Sequence, residues 1–166
     1  MRDQNIFFEK FTAGDFALYF KLVSNYEVMK MITERSLTEK EADDDFKQVL
    51  VNNAVHPLLG TFKVFNSADE FLGLAKLELK DINDTEAELG YMLLPDFWGQ
   101  GLGHIIAQKL IALSSAASTL QSLTAIIDPQ NIASRKILLK NGFSSKAFKD
   151  FDGLPGEILE LCLKVK

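Results

Sequence analysis

The eleven residues DFWGQGLGHII, Asp96 to Ile106, constrain this chain more than any other stretch. Gly99, Gly101 and Gly103 stand at every second position, between a strand-like segment and the apolar stripe of a helix. Glycine at the mouth of a helix costs backbone entropy, so the spacing implies main chain that is approached closely. A strand turning through glycines into a helix offers free N–H groups and the positive end of a helix dipole, an anion site made from backbone alone.

The flanking pattern sets the fold. Residues 5–11 read as a strand, and residues 14–32 hold one or two short helices marked by Phe16, Phe20 and Val23. Thr38 and Glu41 form a capping-box pattern ahead of a helix with Ala42, Phe46, Val49 and Leu50 on one face. Strands follow at 60–66 and 70–80, where Leu77 and Leu79 alternate with Lys76, Glu78 and Lys80. A turn at Asp81-Ile82-Asn83-Asp84 leads to strand 86–94, stopped by Pro95. The glycine segment then opens helix 102–117, with Leu102, Ile105, Ile106, Leu110 and Leu113 on its buried side. Strand 121–127 ends at Asp128-Pro129, and a helix runs from Asn131 to a glycine stop at Gly142. Two last strands, 143–151 and 157–165, are joined by a turn over 152–156. This order predicts one α/β domain over residues 1–166. Its mixed, twisted sheet has about seven strands, helices on both faces and two strand–helix–strand crossovers.

Composition narrows the function. No apolar run is long enough to span a bilayer, and no secretory leader is recognisable, so a membrane role is not expected. One cysteine, Cys162, fits a reducing cytoplasm, and two histidines with it make a protein-built metal site unexpected. The net charge of −5 argues against nucleic-acid binding, but it is unevenly spread. From Trp98 to Lys146, Lys109, Arg135, Lys136, Lys140 and Lys146 face Asp128 alone, a net +4 that leaves −9 elsewhere. An anionic ligand at one end and a cationic one at the other suit this division.

Two familiar phosphate loops do not fit. The nucleoside-triphosphate loop needs Lys-Ser or Lys-Thr after its last glycine, and Gly103 is followed by His104-Ile105. The dinucleotide loop needs a sixth-position glycine, where this chain has His104 or Ile106. The segment Trp98-Gly99-Gln100-Gly101-Leu102-Gly103 instead resembles the acetyl-CoA signature of the GCN5-related N-acetyltransferase (GNAT) superfamily, Gln/Arg-x-x-Gly-x-Gly/Ala. Tryptophan replaces its first residue, as in the ribosomal-protein N-terminal acetyltransferase branch that WGQGLG after ELGYMLLP resembles. A second stretch, Asn131 to Phe143, resembles the family's Asn-x-x-Ser/Ala helix and its closing Gly-Phe, one strand and some thirty residues later.

The resemblance implies a GNAT-like acyl-CoA N-acyltransferase fold, with acetyl-CoA as co-substrate and an amine as acceptor. The pyrophosphate would rest on N–H groups of Gly99, Gln100, Gly101, Leu102, Gly103 and His104. The pantetheine arm would follow the main chain of Met92 and Leu94, with Asn131 on its other side. An N–H near Met92 or Leu93 would receive the oxyanion. Arg135, Lys136 or Lys140 would meet the 3′-phosphate. Glu88 matches the strand glutamate that serves as base, with Glu86 as its alternate. The usual acid, a tyrosine, is replaced by Leu138, and Ser134 matches the serine of the ribosomal branch. A thiol of pKa about 8.5 leaves tolerably without an acid. An α-amine of pKa about 7.7–8.0 is easier to deprotonate than a lysine, which agrees with a peptide N-terminus as acceptor. A polyamine or aminoglycoside acceptor, and a CoA-binding module without turnover, remain open. So does the choice between monomer and homodimer. The acidic run Glu39 to Asp45 would steer a cationic acceptor or form a solvated helix face, and Tyr91 and Phe151 are either groove or core.

Overall fold

The computed structural model describes residues 4–163. Local signals in the sequence act where they stand. The Thr38 hydroxyl accepts the Glu41 N–H at 3.2 Å, and the Glu41 carboxylate accepts the Thr38 N–H at 3.0 Å, opening the long helix. Asn25 and Asn131 cap two further helices with their side-chain oxygens.

In chain order the elements are β1 (Ile6–Lys10), α1 (Phe16–Val23), α2 (Tyr26–Met29), α3 (Glu39–Asn53), β2 (Gly60–Asn66), β3 (Phe71–Glu78) and β4 (Glu86–Leu93). Then come α4 (Leu102–Leu113), β5 (Ser122–Ile127), α5 (Ile132–Lys140), β6 (Ser144–Phe151) and β7 (Leu154–Cys162). The seven strands form one open sheet in the order β1-β2-β3-β4-β5-β7-β6. Only β4 and β5 run parallel, joined through α4; the other neighbours are antiparallel.

Period-two alternation in β4 divides the molecule. Leu74, Met92 and Leu94 pack with α1–α3 around Phe46, whose ring meets those of Phe11, Phe16 and Tyr19 at centroid distances of 5.9, 5.6 and 5.3 Å. Ala87 and Leu89 pack on the opposite face beneath Leu102, Ile106 and Leu110 of α4 and Leu138 of α5. Each such buried aliphatic side chain contributes about 1.5–3 kcal/mol. No helix among the described residues is long and apolar enough to cross a membrane.

Boundaries differ from the sequence expectation at the helix after the glycines and at the last hairpin. The helix after the glycines ends at Leu113, and Ser114–Ala116 tightens into a 3-10 turn. The expected turn over 152–156 shrinks to Asp152-Gly153, both at positive φ (53° and 91°), the backbone of a two-residue hairpin. Pro155 therefore lies inside β7, opposite Asp150, where β7 has run past the end of β5 and needs no donor on that side. The expected end of the last strand, residues 164–165, falls outside the described residues. The acidic run on α3 is a solvated face: Asp43 pairs with Lys47, Asp44 with Lys40 and Glu41 with Arg35.

Candidate active site

The turn between β4 and α4 is an array of unengaged donors. The first ladder bond of α4 is Ile105 N–H to the Gly101 carbonyl at 3.3 Å. Among the described residues, the N–H groups of Gly99, Gln100, Gly101, Leu102, Gly103 and His104 make no hydrogen bond. They lie at the positive end of a twelve-residue helix, the arrangement that binds a phosphate. Gly99 (φ 74°) and Gly101 (φ 80°) hold left-handed backbone that other residues adopt only with strain, while a Cβ at Gly99 meets open space and one at Gly101 only Gln4 Nε2 at 4.0 Å. Gly103 differs. Its Cβ would stand 3.0 Å from Ile137 Cδ1 and 3.4 Å from the Tyr91 ring, so this glycine lets α4 pack against β4 and α5.

Two anchors shape the loop. The Trp98 indole N–H donates to the Leu93 carbonyl at 2.8 Å, tying the start of the glycine turn to the end of β4. The Asn141 amide nitrogen donates to the Ile137 carbonyl at 2.8 Å and faces His104 Nδ1 at 3.0 Å. Nδ1 is therefore the acceptor, and the ring proton sits on Nε2.

Strand register decides which main-chain groups are open. The Leu94 N–H donates to Leu72 at 2.9 Å, the Leu94 carbonyl accepts from Phe97 at 3.0 Å, and the Met92 carbonyl presses on Gly73. Antiparallel pairing alternates, so Glu88, Gly90, Met92 and Leu94 direct their main chain at β3, and Leu89, Tyr91 and Leu93 direct theirs at β5. The Thr85 carbonyl, which accepts from Gln121 and Ser122, obeys the same parity. Beyond the pair Glu88–Thr124, β4 and β5 are no longer paired. A gap opens there, edged by the main chain of Tyr91 and Leu93. The register commits the main chain of Met92 and Leu94, the expected arm contacts, to β3 and leaves that of Tyr91 and Leu93 at the open edge.

The side chain of Glu88 lies on the α3 face, its carboxylate 3.3 Å from Lys76 Nζ. Glu78, Glu88, Thr124 and Glu160 are successive cross-strand partners, so three carboxylates share one row of the sheet. Asn52 of α3 donates to Glu78 at 2.9 Å, and Lys146 bonds Glu160 at 2.7 Å, holding the Glu160 carboxyl below its usual range. Glu78, Asp84, Glu86, Glu88, Lys80 and Thr124 line a cleft of about 320 Å³. Thr124, 9% exposed, has no hydrogen bond to its hydroxyl among the described residues. A larger cleft, about 560 Å³, lies at the other end of β4 by Lys21, Phe71, Leu94 and Phe97.

On the α4–α5 side, Asn131 accepts the Ser134 N–H at 3.2 Å and keeps its amide NH2 free of bonds among the described residues. Arg135 Nε donates to Glu157, 0% exposed, at 3.0 and 3.3 Å, while the Arg135 side chain stays 38% exposed. Lys136 and Lys140 have no such partner among the described residues. Leu138, at the position of the family's tyrosine, is buried core. Tyr91 points to this face, not to the Glu88 cleft, and its hydroxyl is out of solvent with no hydrogen bond. Burial pushes its phenol pKa up, and the neighbouring Ser134 hydroxyl draws it partly back. Sequence reasoning missed Lys76, Glu78 and Thr124, because cross-strand register carries no local signal. Among the described residues, no three of His, Cys, Asp and Glu are grouped to hold a metal ion.

A sheet split between two parallel strands, with an anion loop at the start of the following helix and a carboxylate beside the split, is the frame of an acyl-CoA-dependent N-acyltransferase. Comparison with known proteins agrees. The family described as Acetyltransferase (GNAT) domain matches residues 5–144. The chain is 24% identical over 140 residues to an N-acetyltransferase, p20, of Bacillus licheniformis, covering 83% of this chain and 79% of that protein. A spermidine N-acetyltransferase from Vibrio cholerae, solved with CoA and spermine, superposes with a TM-score of 0.78 at 13% identity, over 95% of each chain. An aminoglycoside acetyltransferase, AAC(6')-Ib, solved with coenzyme A, gives 0.77 at 12% identity, over 95% of each chain. The chain belongs to the GNAT acetyltransferase family and is an N-acetyltransferase.

Proposed function

We propose that this enzyme transfers acetyl directly from acetyl-CoA to a primary amine of a small polycationic acceptor, with Glu88 as the base. The observation that carries the acceptor is the acidic cleft around Glu88. Like charges directly opposite on a sheet are destabilising, and Glu78 faces Glu88. One lysine and one asparagine offset that repulsion; a ligand with several ammonium groups completes it. The free N–H groups of residues 99–104 hold the pyrophosphate, and the Asn131 amide and the edge of Tyr91 and Leu93 flank the arm. Glu88 takes a proton from the ammonium, directly or through one water, leaving a neutral nitrogen to attack. The Tyr91 N–H, turned toward the gap like that of Leu93 but nearer Glu88, receives the oxyanion. Ser134 is the hydroxyl left on α5 to hydrogen-bond the departing sulfur, since Leu138 has none.

A peptide α-amine is the second reading, the one to which the likeness to the ribosomal branch points. Its lower pKa suits a single unassisted carboxylate. Spermidine, kanamycin and peptides beginning with Ala or Ser, offered at equal concentration, separate the two. Preference for the polycations is expected; preference for peptides overturns the acceptor assignment. Glu88→Gln should lower kcat by about 10²–10⁴ and leave CoA affinity unchanged. Turnover equal to wild type removes Glu88 from the role.

A further inference from the structure

The Tyr91 hydroxyl is shut off from solvent and makes no hydrogen bond of good geometry, in a protein whose other fully solvent-excluded side-chain polar atoms are satisfied among the described residues. Buried polar groups are nearly always paired, so an orphan of this kind marks a missing partner. Its position says which partner. The Tyr91 ring lies under Gly103, at the root of the phosphate loop. Its Cα stands three residues along β4 from Glu88, about 10 Å at the rise of an extended strand. Its main chain edges the gap between β4 and β5. Ser134, on the first turn of α5, is the polar neighbour, beside the hydroxyl but not in hydrogen-bonding geometry with it.

A ligand that spans from the phosphate loop to Glu88 must cross this place, and in acetyl-CoA the spanning part is the pantetheine arm with its two amides. We propose that the Tyr91 hydroxyl is a hydrogen-bond donor to an amide carbonyl of the pantetheine arm, a side-chain contact that selects for CoA over ligands carrying the nucleotide alone. The proposal rests on the acetyl-CoA reading of the site. It also accounts for a tyrosine where phenylalanine would fill the same space at no polar cost: the hydroxyl is left unpaired in the free protein and paired in the complex.

The test is Tyr91→Phe, which keeps the ring, measured by calorimetry with two probes, CoA and adenosine 3′,5′-bisphosphate, which lacks the arm. Thermal unfolding without ligand is the third readout. CoA binding should weaken about fivefold to tenfold, the loss of one hydrogen bond. The bisphosphate should bind within twofold of wild type, and the Tm of the free protein should be equal or higher, because removing an unsatisfied buried hydroxyl relieves a cost. A merely structural tyrosine would instead lower Tm and weaken both probes together. That result, or unchanged CoA affinity, overturns the proposal while leaving acetyl-CoA as the ligand. Wild-type protein that binds the bisphosphate but gains nothing from the arm overturns it as well. Failure of wild type to bind either probe overturns the acetyl-CoA reading and this inference together.

Discussion

Replacing Gly101 by Ala tests the anion grip with a single methyl group. The residue sits at φ 80°, ψ 5°, and a Cβ there meets nothing closer than Gln4 Nε2 at 4.0 Å, so the penalty is conformational and not steric. Left-handed backbone costs a residue with a Cβ about 1–2 kcal/mol. In the free protein the N–H groups of residues 99–104 are tied to nothing among the described residues, so the loop relaxes and little stability is lost. A phosphate held by those groups needs the strained conformation back, and the cost appears in binding. At about 1.4 kcal/mol per tenfold, CoA affinity should fall about fivefold to thirtyfold. The Tm without ligand should drop by less than about 4 °C, equivalent to at most about 1 kcal/mol in a domain of this size. Calorimetric titration with CoA and unfolding without ligand measure the two quantities. Gly14→Ala, where a Cβ also meets nothing and φ is not left-handed, is the control and should change neither. CoA binding by Gly101→Ala within twofold of wild type would refute the claim that main-chain donors of this turn carry the phosphates.

Arg135→Ala should leave Glu157 buried without its cation and destabilise the protein by about 3–5 kcal/mol, with Glu157→Gln in the same chain recovering part of the loss. An unchanged Tm with weakened CoA binding would return Arg135 to the phosphate. Burial alone would raise the Asp15 carboxyl, but hydrogen bonds from Lys63 and Thr12 outweigh it and hold it below its usual range. A depressed acid contributes stability above its unfolded pKa, about 3.9, and loses it as pH falls through the lower folded value. Lys63, 6% exposed, should therefore matter more at neutral pH: in urea, the stability gap between wild type and Lys63→Met should be larger at pH 7 than at pH 2.5.

Local patterns made much of this molecule legible. Glycines 99 and 101, the Thr38–Glu41 box and Asn131 act through neighbours a few residues away, so a linear reading recovers their backbone roles. The hairpin at Asp152-Gly153 was obscured because Pro155 and Gly156 read as breakers, although the end of β5 leaves Pro155 no ladder to break. Non-local chemistry was hidden. Arg135 looks like a surface cation until β7 places Glu157 beneath it, and whether Tyr91 is groove or core is decided only once the parity of β4 is fixed by the Leu94–Leu72 bond. The same parity moves the open main-chain edge from Met92 and Leu94 to Tyr91 and Leu93.

That parity also explains why the sheet must open where it does. The phosphate loop leads into α4 on one face, whereas Glu88 and its acidic row lie on the other, beside α3. In the proposed reaction, a donor held at the first and an amine held at the second are separated by a sheet whose paired strands stand only about 4.8 Å apart, filled by hydrogen bonds. Reaction between them requires strands that are neighbours yet unpaired. β4 and β5 meet this condition because parallel strands joined through a helix can share a short ladder, here Glu86–Glu88 with Ser122–Thr124, and then diverge. The N–H groups of Tyr91 and Leu93 and the Tyr91 C=O, left without strand partners there (the Leu93 C=O accepts from the Trp98 indole), would be costly if buried without partners. They are tolerable in a place where an amide-bearing arm supplies those partners, so the defect in the sheet and the polarity of the ligand account for each other.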